Sequence, residues 1–359
     1  MEVIEVEAVS GFNVGSFDIA ESTGEIVAVL HQTWPSVYVG SIHWPGPRLD
    51  DVNRVSLDAV IAYPHGWTPD SGGILYESRL GGHFQVYEQR LDRHDPQPIV
   101  ATRESQSAPR MSPDHNWILF ESRVAFDAPD LLFRVSPHGG VPEPLSTGGR
   151  LVDFRCPALG KTCVIRTLDD QRHVLYSALD PNNGRCAPLY RPAPAQSDLT
   201  DWDVSPDGST LVLISRDSAP QLETVLLSSG HLVEVPIGIA DRIIGVNWAA
   251  DQKGWFVAAS TGAASDLFYA NPQGRPTFLR RVIGPTWGVP SPDDRKLAFV
   301  DENVDSNVWL MQPTKTATRS SANDLGTCAE SGDRRIKISG ALRGFLDRAY
   351  SRWNNKDWA

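Results

Sequence analysis

Between residues 10 and 312 the chain alternates short apolar runs with clusters of Gly, Pro, Asn and Asp, and no long stretch there repeats its apolar positions at helical spacing. That pattern predicts an all-β domain. Within it one motif recurs, as WTPDSGGILYESR at 67–79, MSPDHNWILFESR at 111–123 and VSPDGSTLVLISR at 204–216. Taking the Ser of Ser-Pro-Asp as anchor, copies fall at Thr68, Ser112, Ser205 and Ser291, with weaker ones at Ala20, Cys156 and Ala249. The spacing is that of a four-stranded antiparallel blade, about 40–45 residues. Seven anchors predict a seven-bladed β-propeller, with six blades as the fallback if the first repeat is only partial.

Each repeat reads as an inner strand, a tight Ser-Pro-Asp-Gly turn, a second strand rich in β-branched and aromatic residues, a third strand and a polar outer strand. Tyr38, Tyr87, Phe133, Tyr176, Phe268 and Trp309 are the bulky residues expected on the third strands. The seventh repeat lacks a fourth strand, and residues 2–8 alternate like an isolated one. They are predicted to close the last blade and remove its exposed edges. The expected domains are a propeller over 1–313, a Ser/Thr/Asn-rich linker over 314–332 and an amphipathic helical tail over 333–359. That tail places Ile338, Leu342, Phe345, Leu346 and Trp353 at helical spacing.

Charge narrows the partners. The formal net charge of -11 repels phosphate backbones, so nucleic acid is not an expected partner. From Thr314 onward nine basic residues face five acidic ones. The basic tail is expected to dock on the acidic propeller itself, with a partner or an anionic surface as the other destination. No basic region followed by an apolar stretch opens the chain, and no run of 18 apolar residues occurs, which predicts a cytoplasmic protein. Cys156, Cys163, Cys186 and Cys328 do not have zinc-site spacing. They are expected as reduced core thiols, a Cys156–Cys163 bridge across one hairpin being the alternative.

The Ser-Pro-Asp turns, the Trp residues at 67, 202, 248 and 287, and the stretch WGVPSPDDRKLAFVDENVDSNVWLM at 287–311 resemble the TolB-like propeller repeat family. The last stretch looks most like propellers fused, in some bacterial chains, to serine/threonine kinases or winged-helix regulators. The resemblance implies a non-catalytic module for protein binding or ligand sensing. The propeller of prolyl-oligopeptidase-like enzymes is similar too, but there a separate hydrolase domain carries the chemistry.

No GxSxG elbow, HExxH helix, kinase motif pair or GxGxxG loop is present. Gly160-Lys161-Thr162 imitates the end of a phosphate-binding loop but falls in a predicted hairpin turn. The turn carboxylates Asp70, Asp114, Asp207, Asp251 and Asp293 are expected to cap local backbone N–H groups. Eleven residues after the anchors stand Arg79, Arg123 and Arg216, with His31 at the equivalent position of the first repeat. They predict either a basic mouth for an anionic ligand or partner, or ion pairs with acidic residues of adjacent blades. Trp34, His83, Trp287 and Arg110 complete the candidate binding surface. Two residues before the anchors, Asp18, Asp203 and Asn247 are weighed as oxygen ligands for a hard cation. A metal-assisted hydrolase or lyase at the channel mouth would depend on that triad; otherwise no cofactor is expected. A third reading is a regulatory fragment of a longer kinase or transcriptional regulator.

Overall fold

The structure, a computed structural model, describes residues 13–20, 22, 25–57, 60–80, 82–100, 102–123, 128–193, 200–214 and 220–311. All regular structure among them is β, and they fall into two units. Residues 2–8, the linker 314–332 and the tail 333–359 lie outside the described residues.

The unit Trp34–Asn303 is a six-bladed propeller. Blade I comprises Ala62–Trp67, Gly73–Ser78, Gln85–Arg90 and Gln97–Pro98. Blade II comprises Ser105–Met111, Ile118–Arg123, Leu131–Val135 and Glu143–Leu145. Blade III comprises Arg150–Arg155, Cys163–Leu168, Val174–Leu179 and Cys186–Tyr190. Blade IV comprises Trp202–Val204, Thr210–Ile214, Gln221–Leu226 and His231–Pro236. Blade V comprises Arg242–Trp248, Trp255–Ser260, Ala264–Ala270 and Pro276–Ile283.

Blade VI is a composite of both ends of the unit. Its two inner strands come from Gly288–Pro290 and the part of Lys296–Met311 as far as Asn303, its third from the part of Ile26–His43 that starts at Trp34, and its outer strand from Arg48–Arg54. This corrects the count of seven. The first and seventh sequence repeats are two halves of one sheet, so Tyr38 rather than Trp309 is the third-strand aromatic of blade VI, stacked 5.9 Å from Phe299. An anchor count registers turns between strands; it cannot register which turns share a sheet. The turn at Ala20 instead joins Asn13–Ile19 to Ile26–His43, in register from Asn13↔His31 to Ile19↔Ile26. Residues 13–33 and 304–311 belong to the second unit, where Phe17, Ile19, Val27, Val308 and Trp309 are exposed.

The second strands of blades I and III, GILYES and CVIRTL, are buried at every position, with Ile74, Leu75, Tyr76, Val164 and Ile165 as their apolar part. Apolar layers fill the gaps between blades. At the seam of VI and I, Val37, Val39 and Ala298 meet Trp67, Ile74 and Tyr76. The first-strand turns behave as expected. In each regular one an anchor hydroxyl donates to the Asp at 2.6 Å (Thr68 to Asp70, Ser112 to Asp114, Ser205 to Asp207, Ser291 to Asp293), and the Asp accepts a backbone N–H two residues on. The residue three after the anchor is left-handed in five turns, as Ser71, His115, Gly208, Gln252 and Asp294, so glycine occupies only one of the five.

Cys156 and Cys163 are joined by a disulfide across the first hairpin of blade III, and Cys186 is exposed and free. This corrects the expectation of reduced core thiols: the antiparallel pairing of Arg155 with Val164 brings the two neighbouring side chains into bonding distance.

Candidate functional site: a charged and aromatic belt on the inner strands

The first strands contact one another in succession from blade IV through V, VI and I to II. Six residues hold equivalent positions on them, each paired with the residue nine further along: Gly66, Arg110, Arg155, Asp203, Asn247 and Val289. In blade III the equivalent residue is Arg155, not Phe154. The turn there closes from Gly160 N–H to the carbonyl of Pro157, so the anchor is Pro157 rather than Cys156. Phe154 is fully buried between blades II and III.

From blade II to blade IV this belt is charged, and in blade V it is polar at Asn247. Arg155 donates to Asp201 at 3.0 Å and lies 3.8 Å from Asp203 and 3.9 Å from Asp153. Asp153 also accepts both arms of Arg166, at 2.9 and 2.6 Å, and the indole N–H of Trp202 at 2.9 Å. The carboxylates tie blades together: Asp201 accepts Val246 N–H at 3.0 Å, and Asp203 accepts Trp248 N–H at 2.8 Å and the Asn247 amide at 3.4 Å. Burial raises Asp201 and Asp203 above the usual carboxylate range. At Asp153 burial acts the same way, but Arg166 and Arg155 outweigh it and the net shift is downward.

Arg110 stands apart from these pairs. Its guanidinium donates to the carbonyl of His65 at 2.8 Å, its Nε is buried with no hydrogen-bond partner, and no carboxylate lies within ion-pair distance among the described residues. Burial, reinforced by the charge of Arg155, pulls it down to about 9. Desolvating a guanidinium without a carboxylate costs several kcal/mol.

Blades I and VI give the belt an aromatic half. Tyr63 stacks on Trp287 at 5.7 Å, with Phe84 on its other side at 6.2 Å, and the His65 ring lies 6.2 Å from Trp287. His65 sits 3.2 Å from Glu77, whose carboxylate accepts Ala108 N–H of blade II at 2.9 Å. Glu302 closes this side. Burial, with Asp301 beside it, pushes its carboxyl up to about 7. Burial and the charges of Glu77 and Glu302 push the Tyr63 phenol well above its ordinary value.

Of the predicted binding residues, Arg110 and Trp287 are brought together, on either side of His65. The others are dispersed. Arg123 forms a two-armed ion pair with Asp130 of its own blade, so the predicted pairing with an adjacent blade is not the one observed. Arg79 donates to the carbonyl of Gly82 at 3.0 Å, His83 lies 3.3 Å from the Gln85 amide, and Trp34 is half-buried in the third strand of blade VI. Arg216 lies outside the described residues. Of the cation triad, Asp203 and Asn247 are neighbours, whereas Asp18 pairs with Val27 in the other unit. No group of His, Cys, Asp or Glu side chains placed to hold a metal occurs among the described residues. Gly160-Lys161-Thr162 lies in the turn joining the first two strands of blade III.

Asp153, Arg155, Arg166, Asp201, His65 and Tyr63 were not singled out from sequence. A signal existed for some: Glu77, Glu121 and Arg166 are ionisable residues in the middle of second strands that are otherwise apolar, and all are buried. A charge at such a place requires a specific partner, which is Asp153 of the same blade for Arg166 and Ala108 N–H of blade II for Glu77.

Neither a protein-family profile nor a characterised protein sequence matches the chain. Solved structures do. A putative TolB from Agrobacterium tumefaciens superposes with a TM-score of 0.59 at 16% identity, over 76% of this chain and 99% of the other. TolB from Acinetobacter baumannii gives 0.51 at 17% identity, over 69% of this chain and 62% of its own. A chain of a nidogen/laminin complex gives 0.52 at 8% identity, over 75% and 98%. Among the described residues no helix is long and apolar enough to cross a membrane. At these identities the likeness concerns architecture, and it establishes this chain as an all-β propeller sharing its fold with the TolB structures.

Proposed function

We propose that the propeller is a binding module, and that its inner belt receives an anionic group of a protein partner or ligand at Arg110. The observation that carries this reading is the partner set of Arg110: one backbone carbonyl, an unpaired Nε and no carboxylate. The surrounding arginines are already neutralised, Arg155 by Asp201 and Arg166 by Asp153. An incoming carboxylate would give Arg110 the counter-charge it lacks among the described residues, while Trp287 and Tyr63 offer flat apolar surface beside it. The exposed arginine mouth carries less of this reading, because Arg123 is already paired.

The Cys156–Cys163 disulfide supports an oxidising compartment rather than the cytoplasm. The test is affinity capture from native extract on immobilised full-length protein beside an Arg110→Gln variant with an unchanged circular dichroism spectrum. A specific partner that is retained by the wild type, released by salt and lost with Arg110→Gln is the expected result. Equal capture by both proteins would refute the role of Arg110.

A further inference from the structure

On the face of the propeller that carries the first-strand turns, a cleft of about 440 Å³ is lined by Ser41, Ile42, His43, Trp44, Arg295 and Lys296. It lies where the hairpin between the third and outer strands of blade VI meets the turn between its first two. We infer that this cleft is a binding site for a small organic anion, a carboxylate carried on a ring with an apolar face, stacked on Trp44 and paired with Arg295 and Lys296.

The indole is fixed before any ligand arrives. Its Nε1–H donates to the carbonyl of Asp294 at 2.9 Å, and the ring meets Tyr269 edge-on at 4.9 Å with an interplanar angle of 81°. Yet 38% of Trp44 remains exposed. A rigid ring held by its neighbours costs little ordering entropy when a second ring stacks on it.

The cations beside it are not held in ion pairs among the described residues, although the charge of Lys296 helps to lower the Asp293 carboxyl. Arg295 is exposed, and neither it nor Lys296 has a carboxylate within ion-pair distance among the described residues; the Lys296 ammonium donates to the carbonyl of Ser71 at 3.2 Å. The nearby acids are turned elsewhere. Asp293 is engaged by Ser291 and by Arg295 N–H within its own turn, and Asp294 accepts Ala250 N–H of blade V at 3.3 Å. His43 is 3.8 Å from Asp50 on the outer strand, with both side chains about half exposed. On a chain of formal charge -11, two adjacent cations without ion pairs among the described residues stand beside an immobilised, part-exposed indole. That combination selects a ring for stacking and a carboxylate for charge, a chemistry shared by sugar acids and aromatic acids.

The test uses the full chain labelled with 5-fluorotryptophan, the Trp44 resonance being assigned by its loss in Trp44→Phe. Glucuronate, benzoate, glucose and sulfate are titrated in turn up to about 10 mM. A saturable shift of the Trp44 signal with glucuronate or benzoate, absent with glucose and with sulfate, is expected; which of the two acids is tighter identifies the source. Arg295→Gln with Lys296→Gln should weaken the tighter acid by about tenfold. Because Lys296 touches Ser71, the single exposed variant Arg295→Gln is measured as well and should weaken binding in the same direction. No saturable shift with either acid, or equal shifts with glucose or sulfate, overturns the inference, as does unchanged affinity in both variants.

Discussion

Trp287 in blade VI donates its indole N–H to the carbonyl of Pro64 in blade I at 3.0 Å, and Trp67 in blade I returns the bond to the carbonyl of Val289 in blade VI at 2.9 Å. The two indoles lock the seam at which the ring closes, between segments more than 200 residues apart in the chain. Trp67→Phe and Trp287→Phe keep most of the apolar area and leave a buried carbonyl unpaired. Each is expected to lower stability by about 1–3 kcal/mol in denaturant titration. Because both act on one seam, the double variant should cost measurably more or less than the sum of the singles.

The charged belt is a buried network, so breaking one member should cost more than a surface pair does. Asp153→Asn leaves Arg166 and Arg155 without a shared counter-ion and is expected to destabilise by about 3–5 kcal/mol. A loss below about 1 kcal/mol, the value of an exposed pair, would show that solvent reaches the belt freely.

Glu302 makes a pH dependence of known direction. Its carboxyl is raised from the ordinary Glu value of 4.5 to about 7 in the folded protein, so between those values the folded state holds the proton and the unfolded state has lost it. Stability should therefore fall as pH rises through that window and level off above it. Thermal melts of Glu302→Gln should lack this part of the decline, and the curves of the two proteins should converge at low pH, where Glu302 is protonated in both states.

The Cys156–Cys163 bridge closes a short loop, worth about 2 kcal/mol in the chain-entropy account. Peptide mapping without reductant should recover the linked peptides, and Cys156→Ser with Cys163→Ser should lower stability by about that amount.

His115 is exposed and left-handed at φ 62°, a conformation that costs a residue bearing a Cβ roughly 1 kcal/mol. The equivalent residue in blade IV is Gly208, at φ 76°. His115→Gly is expected to raise the denaturation midpoint slightly, by up to about 1 kcal/mol. A clear loss would mean that the imidazole contributes a contact of its own.

Local chemistry was legible in the chain because it depends on neighbours in sequence. The Ser-Pro-Asp turns, their capping carboxylates, the buried second strands and the aromatic third strands at Tyr87, Phe133 and Tyr176 all follow from short-range spacing and strand period. That Arg110 lies on an inner strand was also readable, from its position two residues before the anchor. Arg155 was missed because the blade III turn carries its proline at the anchor itself, which shifts the inner-strand register by one residue, and a one-residue shift exchanges the two faces of a strand.

The sequence by itself determined that this is a propeller built from repeated hairpins, since period and turn chemistry are local properties. Tertiary structure alone decided that there are six blades, because the halves of blade VI lie at opposite ends of the unit and only their pairing in space makes them one sheet. It alone also decided which charges remain unanswered. Arg79, Arg110, Arg123 and Arg155 look alike along the chain. Their difference lies in whether a carboxylate reaches them in the folded chain: Asp130 of its own blade reaches Arg123, Asp201 of the next blade reaches Arg155, and none among the described residues reaches Arg110.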